Sequence, residues 1–161
     1  MKYICFFLLL IFFTSETAFS QNYQLVWSDE FDGSSLDQNF WSKETGGSGW
    51  GNNELEFYTD SDVNCYVQDG ILTLKAQKET YGNRSYTSAR IKTQGKKFFK
   101  YGKIEARMKL PYGQGIWPAF WIMGENITSV SWPACGETDI MEMIGGTSGN
   151  NNDSKVYGTA H

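Results

Sequence analysis

Lys103-Ile104-Glu105-Ala106-Arg107-Met108-Lys109-Leu110 carries an apolar side chain at every second position and a charge at every position between. That period of two is the mark of a strand with one packed and one wet face. Leu72, Leu74 and Ala76 alternate with Ile71, Thr73 and Lys75 in the same manner. Further strands are expected over Gln24–Ser28, Leu55–Thr59, Val63–Val67, Thr87–Thr93, Gly115–Met123, Glu137–Ile144 and Lys155–His161. No stretch beyond residue 20 sustains a period of 3.6. Asp32-Gly33, Asp69-Gly70, Gly82-Asn83 and Gly113-Gln114-Gly115 supply turn chemistry between the runs. Many short strands at this spacing predict an all-β antiparallel sandwich. The polar stretch Gly145–Asp153 reads as a surface loop.

The chain has 161 residues, of which the first twenty have the layout of a secretory signal peptide. Met1-Lys2 gives a basic start, Tyr3 to Phe13 an apolar run, and Ala18-Phe19-Ser20 a small-x-small cleavage site. The run is shorter than the roughly 20 apolar residues that span a bilayer. Cleavage after Ser20 leaves one domain, 21–161, that is exported, carries no membrane span and is long enough to bury a core. Its aromatic content, from a chain with six Trp, nine Tyr and eleven Phe, and its small net charge of −4 exclude disorder. The acidic balance and the absence of a Lys/Arg run exclude nucleic acid as the main partner. Beyond the leader, Cys65 and Cys135 stand about seventy residues apart and are expected as two free thiols; a single histidine excludes a His-rich metal centre.

Gly136-Glu137-Thr138-Asp139-Ile140-Met141-Glu142 places three carboxylates on a strand whose neighbours, Trp132, Cys135, Met143 and Ile144, suit burial. Buried carboxylates are costly unless the face that holds them is a cleft. On a regular strand Glu137 and Asp139 share a face and Glu142 points to the other. One β-bulge at Ile140-Met141 brings all three onto one side, and bulges recur beside active sites because they re-aim side chains. Two glutamates flanking an aspartate suit retaining glycoside hydrolysis, which needs a nucleophilic carboxylate and an acid/base carboxyl about 5–5.5 Å apart. A negative Asp139 is expected to keep Glu142 protonated. A solvated acidic strand face is the alternative that spacing alone leaves open.

Trp132 to Glu142, W-P-A-C-G-E-T-D-I-M-E, resembles the signature of the family 16 glycoside hydrolases in its bulged E-x-D-x-x-E form. Trp27–Gly33 (W-S-D-E-F-D-G), Trp50–Thr59 (W-G-N-N-E-L-E-F-Y-T), Ser88–Ile91 (S-A-R-I), Tyr101–Pro111 and Gly113–Gly124 (G-Q-G-I-W-P-A-F-W-I-M-G) extend the resemblance in the family's order. The resemblance implies a β-jelly roll (concanavalin A-like) of two curved antiparallel sheets with a cleft on the concave face. It implies Glu137 as nucleophile, Glu142 as general acid/base and Asp139 as the group that holds and tunes the pair. Thr138 stands where the family more often has an aliphatic residue, and its side chain is expected to face away from the cleft.

The same resemblance implies that Asn53, Arg90, Trp117, Trp121, Trp132 and His161 contact the sugar or the carboxylates. Taken without it, Asn53 is a turn residue, Arg90 a surface charge and His161 a chain end. Trp117 and Trp121, four apart on an expected strand, form either a stacking platform or core. Trp132 either stacks on a sugar or seals the core. Glu30 and Gly70 resemble positions near a structural calcium in some relatives; no metal is assigned and no cofactor is required.

The expected activity is that of a secreted, monomeric, laminarinase-like endo-β-1,3-glucanase, with β-1,3-1,4-glucan or an agarose- or carrageenan-type galactan as alternative substrates. A non-catalytic glucan-binding protein is the rival from another class. The family's domains are longer, so the expected jelly roll is incomplete at the C-terminus, and an inactive fragment is the third reading. Asn83, Asn126 and Asn152 each begin an Asn-x-Ser/Thr acceptor for glycosylation in a eukaryotic secretory route.

Overall fold

The structure is a computed structural model that describes residues 22–146 and 154–161. The expected leader, residues 147–153 of the polar loop and the acceptor Asn152 lie outside the described residues. Among the described residues nine short strands follow one another: β1 (Ser42–Glu44), β2 (Glu56–Tyr58), β3 (Cys65–Gln68), β4 (Ile71–Leu74), β5 (Tyr86–Ser88), β6 (Arg90–Lys92), β7 (Ala119–Met123), β8 (Glu137–Glu142) and β9 (Tyr157–Ala160). A single helical turn, α1 (Ile127–Val130), lies between β7 and β8. Among the described residues no helix is long and apolar enough to cross a membrane.

The first half of the chain is assembled from two-stranded pieces. β3 and β4 form an antiparallel hairpin closed by Asp69 and Gly70. Both turn residues are left-handed, at φ 53° and 72°, the backbone that a two-residue hairpin turn matched to strand twist requires. β1 lies antiparallel to β6, with Glu44 opposite Arg90. β2 departs from the expected antiparallel order and runs parallel to β5. That direction is open to it because a long crossover, containing the β3–β4 hairpin, separates the two strands. Bridges between Gly46 and Tyr58, and between Gln77 and Thr87, connect these pieces.

Leu36, Cys65 and Ala89 make the buried apolar centre of this half, with Phe31, Trp41, Leu72 and Ile91 packed on it. Cys65 and Cys135 are both free, as expected. Burial pushes the Cys65 thiol pKa up. Beside it lies a buried polar knot that sequence patterning did not reveal. Thr59 Oγ1 donates to Asn64 Oδ1 at 2.5 Å, and Asn64 Nδ2 donates to Lys75 O at 2.9 Å and Thr87 Oγ1 at 3.1 Å. The side chain of Asn64 thereby ties the turn before β3 to the exit of β4 and to β5.

The second half contains the three-stranded antiparallel sheet β7-β8-β9. Its continuation past β7 uses Pro118 only as an acceptor: Met143 N donates to Pro118 O at 3.1 Å. A proline is tolerated there because its missing N–H is not called on. At the other end Gly124 N donates to Gly136 O at 3.1 Å. A Cβ on Gly124 would lie 2.0 Å from Cys135 O, so this close backbone approach requires glycine.

Two expected strands did not form. Gln24–Ser28 and Lys103–Leu110 pair with no strand among the described residues. Of the apolar set in the second, Ile104 and Leu110 are half-buried whereas Ala106 and Met108 are exposed. Alternation fixes which side chains share a face, but a ladder also needs a neighbour to accept its hydrogen bonds.

Candidate active site

The β7-β8 register decides the geometry of the carboxylates. Met123 faces Glu137, Trp121 faces Asp139 and Ala119 faces Glu142. Residues 119, 121 and 123 alternate regularly and so share one side of the sheet. Their partners share it too, although Glu142 is three residues from Asp139. The register slips by one between Phe120 and Trp121, leaving Ile140 as the extra residue of a β-bulge. The bulge expected at Ile140-Met141 is therefore present, and it turns Glu142 to the side of Glu137.

β9 completes the face from the other edge. Asp139 lies opposite Thr159 and Glu142 opposite Tyr157, with the matching slip between them. His161 N donates to Glu137 O at 2.9 Å, continuing the ladder by one residue. His161 Nε2 lies 3.2 Å from Asp139 Oδ2, so the histidine is tied to the carboxylate row through both backbone and ring. Thr138 pairs with Ile122 and Ala160 and points to the opposite side, as expected.

The carboxyls differ in surroundings. Asp139 is buried, at 5 % exposure, and Glu137 and Glu142 are half-buried. Burial, followed by the negative charge of Asp139, raises the pKa of Glu137; Glu142 adds to the lift, while His161 and Arg90 oppose it. Glu137 sits next but one to Asp139 on the strand's unbulged half. Glu142 Oε1 instead accepts a hydrogen bond from Trp117 Nε1 at 2.8 Å.

Ligand atoms of Glu137, Asp139 and His161 lie within 4.8 Å of one another, with the histidine ring engaged by Asp139. Near Gly70, Asp32 Oδ1 lies 4.0 Å from the place a Cβ would take. No ion is assigned there.

The tryptophans reach the site by different routes. Trp121 projects from β7 on the carboxylate face, and Arg90 Cζ lies 4.9 Å from its ring centroid. Trp117 precedes β7 rather than belonging to it, so the expected strand over Gly115–Met123 begins only at Ala119. Its indole nevertheless reaches Glu142. Trp132 is 55 % exposed, which excludes it from the core, and its ring lies 6.1 Å from that of His161. Asn53 is exposed at φ 58° in the turn after Trp50. The structure brings the other expected site residues together and leaves Asn53 at the margin.

Two residues not singled out in the sequence join the site. Trp50 also lies against Arg90, whose Cζ is 4.7 Å from its ring centroid. Glu44 Oε2 accepts from Arg90 Nε at 2.7 Å. Trp50 stood within the W-G-N-N-E-L motif and was legible there. Glu44 lies in Ser42-Lys43-Glu44, which carries no apolar pattern at all.

A family model for the glycosyl hydrolases of family 16 matches residues 47–161. The chain belongs to that family. It is 46% identical over 144 residues to a beta-glucanase of Rhodothermus marinus, covering 87% of this chain and 49% of the relative. It is 41% identical to glucan endo-1,3-beta-glucosidase A1 of Niallia circulans, over 85% of this chain and 22% of that one. The laminarinase catalytic domain of Thermotoga maritima MSB8 superposes with a TM-score of 0.80 at 50% identity, covering 88% of this chain and 57% of that structure. The fold is thus the all-β jelly-roll sandwich of family 16 laminarinases, and this chain spans about half the length, or less, of the curated relatives it matches.

Proposed function

We propose that the protein is a secreted, retaining endo-glycosidase that cuts β-1,3 linkages in laminarin-type glucans. The observation that carries this reading is the bulge at Ile140, which sets Glu137, Asp139 and Glu142 on one face of β8. Glu137 attacks the anomeric carbon while Glu142 protonates the departing glycosidic oxygen; Glu142 then takes a proton from water as it hydrolyses the glycosyl-enzyme. Asp139, held by His161, keeps negative charge beside Glu137 and makes it a more basic nucleophile. Arg90 offers guanidinium donors to sugar hydroxyls, Asn53 an amide, and Trp117, Trp121 and Trp132 flat apolar faces to pyranose rings. The chemistry uses two carboxyls and water, needs no cofactor, and proceeds in a monomer.

The glucosidase and laminarinase names of the relatives described above support β-1,3-glucan over galactan as substrate. The test is release of reducing sugar from laminarin, mixed-linkage glucan, agarose and carrageenan, beside laminarin binding on the same sample. Laminarin turnover is expected to fall by roughly 10⁴-fold or more in Glu137→Gln, with binding retained. Binding without turnover in the unmutated protein would show a glucan-holding protein, and cleavage confined to galactans would overturn the substrate.

A further inference from the structure

We propose that Glu44 is a positioning residue of the glucan site, acting on the sugar through Arg90 and resting on the proposed glucanase function. β1 places Glu44 directly opposite Arg90 on β6, and Lys92 is next but one on the same strand. The carboxylate, 13% exposed, meets Arg90 Nε at 2.7 Å with one oxygen and Lys92 Nζ at 2.6 Å with the other. It is therefore held from two sides and cannot swing away with Arg90. The guanidinium it holds lies against the indoles of Trp50 and Trp121, with Cζ 4.7 and 4.9 Å from their ring centroids. Trp121 in turn stands opposite Asp139 on the carboxylate face.

This assembly holds the guanidinium end of a flexible side chain. Contact with two indoles limits the positions open to the guanidinium, and a charge-assisted bond to Nε limits its rotation. The two Nη amino groups then project from the outer end of the fork. Without Glu44 the same cation could still sit against the rings, but its amino groups would sample several directions. Ordering them again would be charged against sugar binding. Glu44 acts through Arg90 rather than on the sugar itself.

A double-mutant cycle on the whole protein tests this, with Glu44→Gln made alone and in an Arg90→Met background. Laminarin hydrolysis, laminarin binding by tryptophan fluorescence, and near-UV circular dichroism are read for all four proteins. Glu44→Gln alone is expected to raise KM about tenfold, with a smaller change in kcat and a shifted tryptophan dichroism. In the Arg90→Met background the same change is expected to do nothing further. Equal losses in both backgrounds, or no loss in either, overturn the inference. Should Glu44→Gln fail to fold, Glu44→Asp is read in the same cycle; a several-fold loss that needs Arg90 supports the inference, and its absence overturns it. A wild-type protein that cuts no glucan sinks the functional reading instead. Glu44 is then judged by whether its dichroism change depends on Arg90.

Discussion

At the scale of single residues, Glu137 shows how one carboxyl is prepared at the expense of the fold. Burial and the charge of Asp139 raise its pKa in the folded chain, so the native state binds its proton more tightly than the unfolded chain does. Stability is then lost as pH rises from the ordinary glutamate range through the raised value. Glu137→Gln should melt at a slightly higher temperature than the wild type at pH 7, with the difference vanishing in acid; thermal melts at both pH values check this. The effect is small because Glu137 is only half-buried and solvent screens it. On the proposed mechanism the same shift sets the acid limb of turnover, since the nucleophile must be ionised. Asp139→Asn removes a charge that raises Glu137, so the acid limb of kcat/KM is expected to move to lower pH while the maximum rate falls. A limb that stays in place would mean that Asp139 does not govern Glu137.

Among the elements, β8 was the most legible and β1 the least. E-x-D-x-x-E cannot place its three carboxylates on one face without a bulge, so the motif implied the backbone irregularity that the β7-β8 register shows at Ile140. Thr87–Thr93 read as one strand but is broken at Ala89 into β5 and β6, because β5 pairs with β2 and β6 with β1. Ser-Lys-Glu gave no apolar signal for β1; its strand character comes from the partner it meets. The register also makes a prediction that spacing alone would reverse. Deleting Ile140 leaves Trp121 opposite Asp139, Phe120 opposite Met141 and Ala119 opposite Glu142, a continuous ladder without a bulge. Glu142 therefore stays on the carboxylate face, and laminarin hydrolysis should survive to within roughly 100-fold. Inserting one alanine after Ile140 breaks this match and should abolish turnover. Rates and near-UV dichroism of both variants distinguish loss of aim from loss of fold.

Over the whole molecule, the two halves of the chain make a site more completely than they make a core. The carboxylate row, Arg90 and the tryptophans are assembled from β1, β6, β7, β8, β9 and the turn at Trp50. Yet only Leu36, Cys65, Val67, Ala89, Met141 and Met143 are buried apolar residues among those described. Large apolar side chains remain in water, with Leu25 at 83%, Val26 at 76%, Tyr101 at 87% and Tyr112 at 84% exposure. Lys103–Leu110 keeps its alternating pattern without a ladder partner among the described residues, and it lies between Tyr101 and Tyr112. An unpaired segment flanked by exposed aromatics offers both hydrogen-bonding edge and apolar surface to any neighbour, the combination that favours association over a unique native state. A polypeptide of residues 21–161 alone is therefore expected to keep a strand-type far-UV spectrum, bind a hydrophobic dye, and lose its near-UV signal over a broad thermal range. A sharp, cooperative melt with little dye binding would show instead that the buried centre around Cys65 and the β7-β8-β9 sheet suffice to hold the site together.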